Sequence, residues 1–331
     1  MTAPIRSDFD QGPPFVFGFG FRDGQAAEAV WPEIAAQTGA YDFVWLHLNM
    51  NNAETQGWIR EKSGLPHVAA SALLAGETRP RMTRFDKGLV VNLRGVNLNE
   101  AAEPEDMVSI RVWLDEKRVI TTRRRRLKSA QDVRQQIIDG AVPASPGALV
   151  ARLAARLTER MEPHVLSIDE DVDAREEAML KGEGEQLRAR LADARQTAVM
   201  FRRFIAPQRE ALARLASEES ALFDPPTRSE LREIADSVTR LTEEIDAARE
   251  RAMVLQDQLA DQRAEQMNRN MMILSVVAAI FLPLGFLTGL FGINVGGMPG
   301  VDSPAAFWLV VAASLAIGLG LAAFFRGRGW L

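Results

Sequence analysis

Cysteine is absent from the 331 residues. Its absence excludes disulfides and thiolate metal sites and leaves the redox compartment unread. Histidine is scarce: His47, His67 and His164 are the three, and no two form a His-x-x-His pair. Tightly held zinc prefers Cys, His and carboxylate ligands, so no dedicated tight metal site and no cofactor are expected. No P-loop, Gly-rich dinucleotide fingerprint or Ser/His/Asp grouping occurs. ATP-driven pumping and hydrolysis therefore have no support, and the chain does not read as an enzyme. The opening MTAPIRSDFDQGPPF lacks the apolar core of a signal peptide, so the soluble part is expected to stay in the cytoplasm. Charge is missing from two stretches, 271–291 and 305–325. Each is long enough, at 1.5 Å per helical residue, to cross roughly 30 Å of hydrocarbon. Two such runs in tandem, joined by a Gly/Pro loop, read as a membrane hairpin.

The rest of the chain is strongly charged, with a formal net charge of -5 overall. Aromatic-rich apolar runs at 15–21, 43–49, 88–97 and 108–125, the last with a turn near 115–117, suit strands. The segments 25–39, 52–64 and 67–76 between them read as helices, giving an α+β domain with a mixed sheet. Pro143, Pro146 and Gly147 mark a boundary. Beyond it 148–180 reads as one long helix that Pro163 could kink, 181–184 as a break, and 185–223 as a second helix. Asp224-Pro225-Pro226-Thr227 is a stop and restart. Leu231, Ile234, Val238, Leu241 and Ile245 then keep helical spacing, and no Gly or Pro intervenes before Pro283. The soluble helix therefore runs into the first span, roughly 95 Å in all, a stalk that needs neighbours. The expected division is a cytoplasmic α/β domain (1–147), a cytoplasmic long-helix stalk region (148–270), a first transmembrane helix (271–291), an external loop (292–304), a second transmembrane helix (305–325) and a cytoplasmic tail (326–331). Arg263, Arg269, Arg326 and Arg328 flank the hairpin, and its loop has no Lys or Arg. Both termini are thus expected inside.

Two spans cannot enclose a polar path, because every lipid-facing surface must be apolar. Conduction would need several copies gathered around an axis. Stepping back from Asn294 by helical turns gives Gly289, Gly285, Leu282, Ala278, Ser275, Met271 and Asn268, then Ala264, Asp261 and Asp257. This stripe is mostly small, polar or acidic. Gly285 and Gly289 also form a GxxxG spacing, which alone favours close helix packing. The continuation through Asn268, Asp261 and Asp257 favours a cation path, with Leu282 and Met271 as apolar constrictions. Neither span contains an ionisable residue, so an intramembrane proton relay has no support.

IFLPLGFLTGLFGINV, with Gly292-Ile293-Asn294 closing the first span, resembles the CorA-type divalent-metal transporters, whose signature there is Gly-Met-Asn. The Gly-Ile-Asn form followed by VGGMPG resembles the zinc-transporting ZntB branch, and RPRMTRFDKGLVVNLRGVN and the long helices extend the likeness over nearly the whole chain. The resemblance implies a funnel-shaped homopentamer in the bacterial inner membrane that carries zinc or another divalent cation, with uptake as the expected direction. It implies that Asn294 forms a polar ring at the outer mouth beside Gly292, Ile293 and Asp302. It also implies that Gly289, Leu282, Leu274, Met271 and Asn268 line the conduit, with Asp257 near its cytoplasmic exit; Leu274 takes the place of Ser275 in the stepwise count. Ile293 stands where Met is usual, and Gly285 where magnesium-type members commonly have Thr. Proton coupling, if present, would use pore water or stalk carboxylates such as Asp257 and Asp261. A magnesium, cobalt or nickel channel on the same scaffold, and a membrane-tethered stalk without transport, are the alternatives. His47 is expected on a sheet face and not in a metal site. The basic run Arg123–Arg126 is expected to pair with acids at 100–106 or 168–177 and not with nucleic acid.

Overall fold

The first two strands follow from a two-residue turn. In the computed structural model, which describes residues 13–28, 38–181, 186–293, 300 and 302–330, β1 (Phe15–Arg22) and β2 (Gln25–Glu28) pair antiparallel. Asp23 and Gly24 both have positive φ, 50° and 72°, the arrangement whose twist suits a tight hairpin. The expected helix over 25–39 is therefore corrected at its start: Gln25–Glu28 is an edge strand. Residues 29–37 of that expectation lie outside the described residues. Five more strands complete a mixed sheet: β3 (Phe43–Asn49), β4 (Arg81–Phe85), β5 (Gly88–Gly95), β6 (Val108–Leu114) and β7 (Arg118–Arg123). The order is β2-β1-β3-β7-β6-β5-β4, and among the described strands only β3 and β7 run parallel.

Every residue of β3 is buried because both faces of the sheet are covered, and the alternating side chains feed two cores. Val44, Leu46, Leu48, Val90, Trp113 and Ile120 pack against Ile59, Ala69, Ala70 and Leu73. Ile59 comes from the π-helical turn Trp58–Lys62 that prolongs α1 (Ala53–Gly57), and the other three from α2 (His67–Leu73). The other face carries Phe17, Phe19, Trp45, Val91, Leu93 and Val112. It meets α3 (Lys128–Ile138), α4 (Pro146–Leu180), α5 (Leu187–Ala216) and the first half of α6 (Pro225–Phe291).

The helix starts are explained locally. Ser145 accepts from Ala148 N at 3.1 Å, with Pro146 in the first turn. Asp224 accepts from Thr227 N at 2.9 Å ahead of Pro225 and Pro226. In both cases a side-chain oxygen serves an orphan N–H, and Pro fills a position that needs no donor. Gly147 has no room for a Cβ, which would lie 2.1 Å from the Leu222 carbonyl. α5 ends at Ala216, short of the expected 223, because Glu218 is drawn into the core edge. Its carboxylate takes Arg84 at 2.9 Å and Ser220 N at 3.2 Å. α4 continues through Pro163.

Arginines tie the helices to the sheet and to one another. Gln208 on α5 accepts from Arg94 N at 2.7 Å and donates to Arg94 O at 3.1 Å, acting as a further strand partner for β5. Asp132 receives Arg156 and Arg160 from α4. Arg251 on α6 reaches Asp169 and Asp173 within the acidic stretch of α4. The basic run is used internally: Arg125 meets Asp106 at 2.6 Å and Arg124 donates to Gly76 O at 3.2 Å.

Two compact units divide within α6, residues 1–255 and 256–331. In the first, Leu231, Ile234, Val238, Leu241 and Ile245 are all buried, as their spacing predicts. The second holds the rest of α6 and α7 (Pro304–Gly327). Both α6 and α7 are long and apolar enough to cross a membrane, and their apolar windows are almost wholly exposed.

Candidate functional site

An apolar helix that pairs with one neighbour has one covered face and leaves the other for something else. On α6 the covered face carries Val276, 1% exposed, with Ile280, Pro283, Leu284 and Leu287 half-buried. α7 supplies part of that cover, since Leu284 Cδ1 lies 3.6 Å from where a Cβ on Gly318 would stand. Taking Val276 as the origin and 100° per residue, the other four lie within about 80° of it.

The sequence-derived stripe lies on the far side. Gly285, Ala278, Met271, Gly289 and Leu282 fall at about 180–240°, and Leu274 at about 160°. All six are exposed, Leu282 to 77% and Leu274 to 71%. Asn268, Asp257 and Asp261 follow at about 260–300°, exposed as well. Ser275, the stepwise alternative to Leu274, is also exposed, and its hydroxyl is turned back onto Met271 O at 2.8 Å. Among the described residues, nothing lies within 4 Å of a Cβ built on Gly285 or Gly289. The GxxxG spacing is therefore unused for packing inside the chain, and it makes that face smooth instead.

Side-chain polar groups along the span are few, and the hydroxyls are turned back onto the helix. Thr288 Oγ1 donates to Leu284 O at 3.0 Å, with Gly285 O at 3.2 Å. Pro283 contributes no N–H, which deprives the Ala279 carbonyl of its helical donor and leaves a backbone oxygen in mid-span. Sequence reading passed over that oxygen, although a proline inside an apolar run is its signal. The helix closes with Gly292 N donating to Thr288 O at 2.9 Å and Gly289 O at 3.2 Å. Gly292 and Ile293 are exposed, and Asn294 lies outside the described residues. Asp302 is exposed beside the N-terminus of α7, where the helix dipole favours a carboxylate. Among the described residues, neither Asp257 nor Asp261 forms an ion pair with a basic group.

Within the span this face carries no ionisable side chain. It offers backbone oxygens and, below the span, amide and carboxylate groups, which suit a hydrated cation. Among the described residues, no three of His, Cys, Asp and Glu come together as a metal site would require. His47 belongs to the core of the sheet. It is fully buried, stacks on Phe17 with 4.7 Å between ring centres, and sets Nδ1 2.8 Å from Thr121 Oγ1. Burial, with a smaller contribution from the nearby Arg123 charge, holds its pKa well below the ordinary histidine value. His67 is exposed at the start of α2 and His164 half-buried on α4.

Comparison with known proteins reaches across this whole arrangement. Residues 41–327 match the family described as CorA-like Mg2+ transporter protein. The divalent cation transporter CmaX of Pseudomonas aeruginosa is 40% identical over 294 residues, 87% of each chain. The zinc transport protein ZntB of Yersinia enterocolitica is 31% identical over 287 residues, 87% of this chain and 88% of the relative. The solved structure of full-length CmaX superposes with a TM-score of 0.81 at 34% identity, covering 97% of this chain and 100% of that one.

Proposed function

The chain belongs to the CorA-like Mg2+ transporter family, and we propose that it is a zinc transporter working as a homopentamer, with one α6 from each copy around a shared axis. Divalent-cation transport is the activity common to its relatives; zinc, uptake and the five-fold assembly are the specific reading. One observation carries it: the face of α6 opposite α7, with Gly285, Gly289 and Ala278 set among Met271, Leu274 and Leu282, is exposed from Met271 to Gly289, and its glycines meet no packing from the described residues. Two helices alone leave that face toward lipid, where the glycines and the acids below them serve no purpose. Gathered copies turn it inward, with Asn268, Asp261 and Asp257 prolonging it on the stalk.

The basic residues flanking the hairpin favour an inner-membrane protein with both ends in the cytoplasm, and Gly292, Ile293, Asn294 and Asp302 then form the outer mouth. Zinc is favoured by the Gly-Ile-Asn signature and by the likeness to zinc transport proteins. Flux into proteoliposomes, followed with metal-selective dyes for zinc, magnesium and cobalt in parallel, tests the reading. Zinc entry at least tenfold above the other two supports it. Magnesium or cobalt entry without zinc moves the chain to a channel for those ions, and no flux of any divalent cation leaves a structural stalk. Repeating zinc uptake with and without a pH gradient tests proton coupling, and equal rates reject it.

A further inference from the structure

The end of α7 is built with more order than a helix leaving a membrane needs. Trp330 N donates to Phe325 O at 3.0 Å and Gly329 N to Arg326 O at 3.1 Å, with Gly329 in the left-handed region at φ 73°. This pair of bonds is a Schellman cap, which only glycine closes without strain. The cap folds the chain back so that the Trp330 ring stacks on Phe325, 5.7 Å between centres and 18° between planes. Arg328 is laid over Phe324, 5.3 Å from the ring centre. Arg326 and Arg328 are both exposed, and neither has a carboxylate partner among the described residues. The result is two guanidinium groups beside an ordered indole.

At the other end of α7, Phe307 and Trp308 form an edge-on aromatic pair within the first two turns. Roughly 30 Å of helix separates Trp308 from the cap, the thickness of a hydrocarbon core with aromatic residues at its two boundaries. The arginines therefore stand at headgroup depth. Unpaired cations there, fixed by a cap and flanked by an amphipathic ring, complement a phosphate-bearing surface.

We propose that the capped end of α7 is a binding surface for anionic phospholipid headgroups, with Arg326 and Arg328 taking the phosphate and Trp330 seating the cap at the interface. The inference rests on α7 spanning the bilayer, but not on the ion carried or the number of copies. A cation at a helix C-terminus is also favoured by the helix dipole, which does not discriminate between lipids; lipid preference is therefore the decisive readout.

The test uses the full chain in vesicles of phosphatidylcholine containing a minor fraction of lipid brominated on its upper chain, either phosphatidylglycerol or phosphatidylcholine. Trp330 emission is isolated as the difference between wild type and W330F. The expected result is quenching about twofold stronger by brominated phosphatidylglycerol, with the excess lost at high salt. In R326Q/R328Q the ratio should fall to about one while quenching by brominated phosphatidylcholine is unchanged, showing that the variant still inserts. Equal quenching by the two lipids in wild type overturns the proposal, as would be seen if the arginines paired with acids of a second copy. A preference that persists in R326Q/R328Q overturns it too. Quenching by neither lipid removes Trp330 from the bilayer, and with it the spanning reading of α7.

Discussion

His47 lies beneath Phe17, and among the described residues its buried Nε2 has no hydrogen-bond partner, so a second proton on the ring would put a charge into the core. Its folded-state pKa is depressed, and the sign of the consequence is fixed. Below the unfolded value near 6.5 the unfolded chain binds a proton that the folded chain refuses. Stability is thus full above about pH 6.5 and declines as pH falls, by at most about 1.4 kcal/mol per unit. Chemical denaturation of the detergent-solubilised protein from pH 7.5 to 5 should show this decline, and H47N should flatten it. A wild-type profile that is flat would mean the ring finds a partner on protonation. Gln208 is the other residue whose burial makes a sharp claim. Both ends of its amide are spent on the Arg94 backbone, so Q208A leaves a buried N–H and C=O unpaired and should cost about 2–4 kcal/mol. Replacement costing under half a kilocalorie would show that water substitutes for the side chain.

Among the elements, the hairpin and the stalk were legible because apolar run length and three-four spacing depend on few residues and little context. Errors arose where tertiary contacts decide. QAAE has helical composition, yet it follows Asp23-Gly24, whose positive-φ turn sends it back along β1; the Asp-Gly pair was the available signal. β4 was unassigned because Arg81, Thr83 and Arg84 mark a solvent edge and not an apolar run. The end of α5 depends on the contact of Glu218 with Arg84, 134 residues distant from it. For the candidate site, the stripe on α6 could be read from spacing, whereas its position opposite α7 could not, since that depends on how two apolar helices pack. A prediction follows from this placement. G289L puts a branched side chain on the open face and should reduce zinc flux at least tenfold with assembly retained. I273L, about 60° from Val276, should leave flux within twofold. Equal effects of the two substitutions would show that the two faces do not differ in role.

At the scale of the whole molecule, the proposed path needs several chains, each supplying the exposed face of α6 along the span and the acids below it. Asn294 is proposed for the outer mouth, and N294A should lower zinc flux while leaving folding intact; unchanged flux would remove it from ion selection. The acids below should act through charge alone, so D257N/D261N should slow entry most at low ionic strength, and a salt-independent effect would point to a structural role. The central claim is that the face of α6 opposite α7 lines the ion path. The natural absence of cysteine makes it directly measurable: single cysteines placed from 271 to 289 can be treated with a hydrophilic thiol reagent during zinc flux, with no background thiol. Labelling should block flux at 271, 274, 278, 282, 285 and 289 and leave 276, 280, 284 and 287 unaffected. Block at the second set, or at neither, would contradict the account.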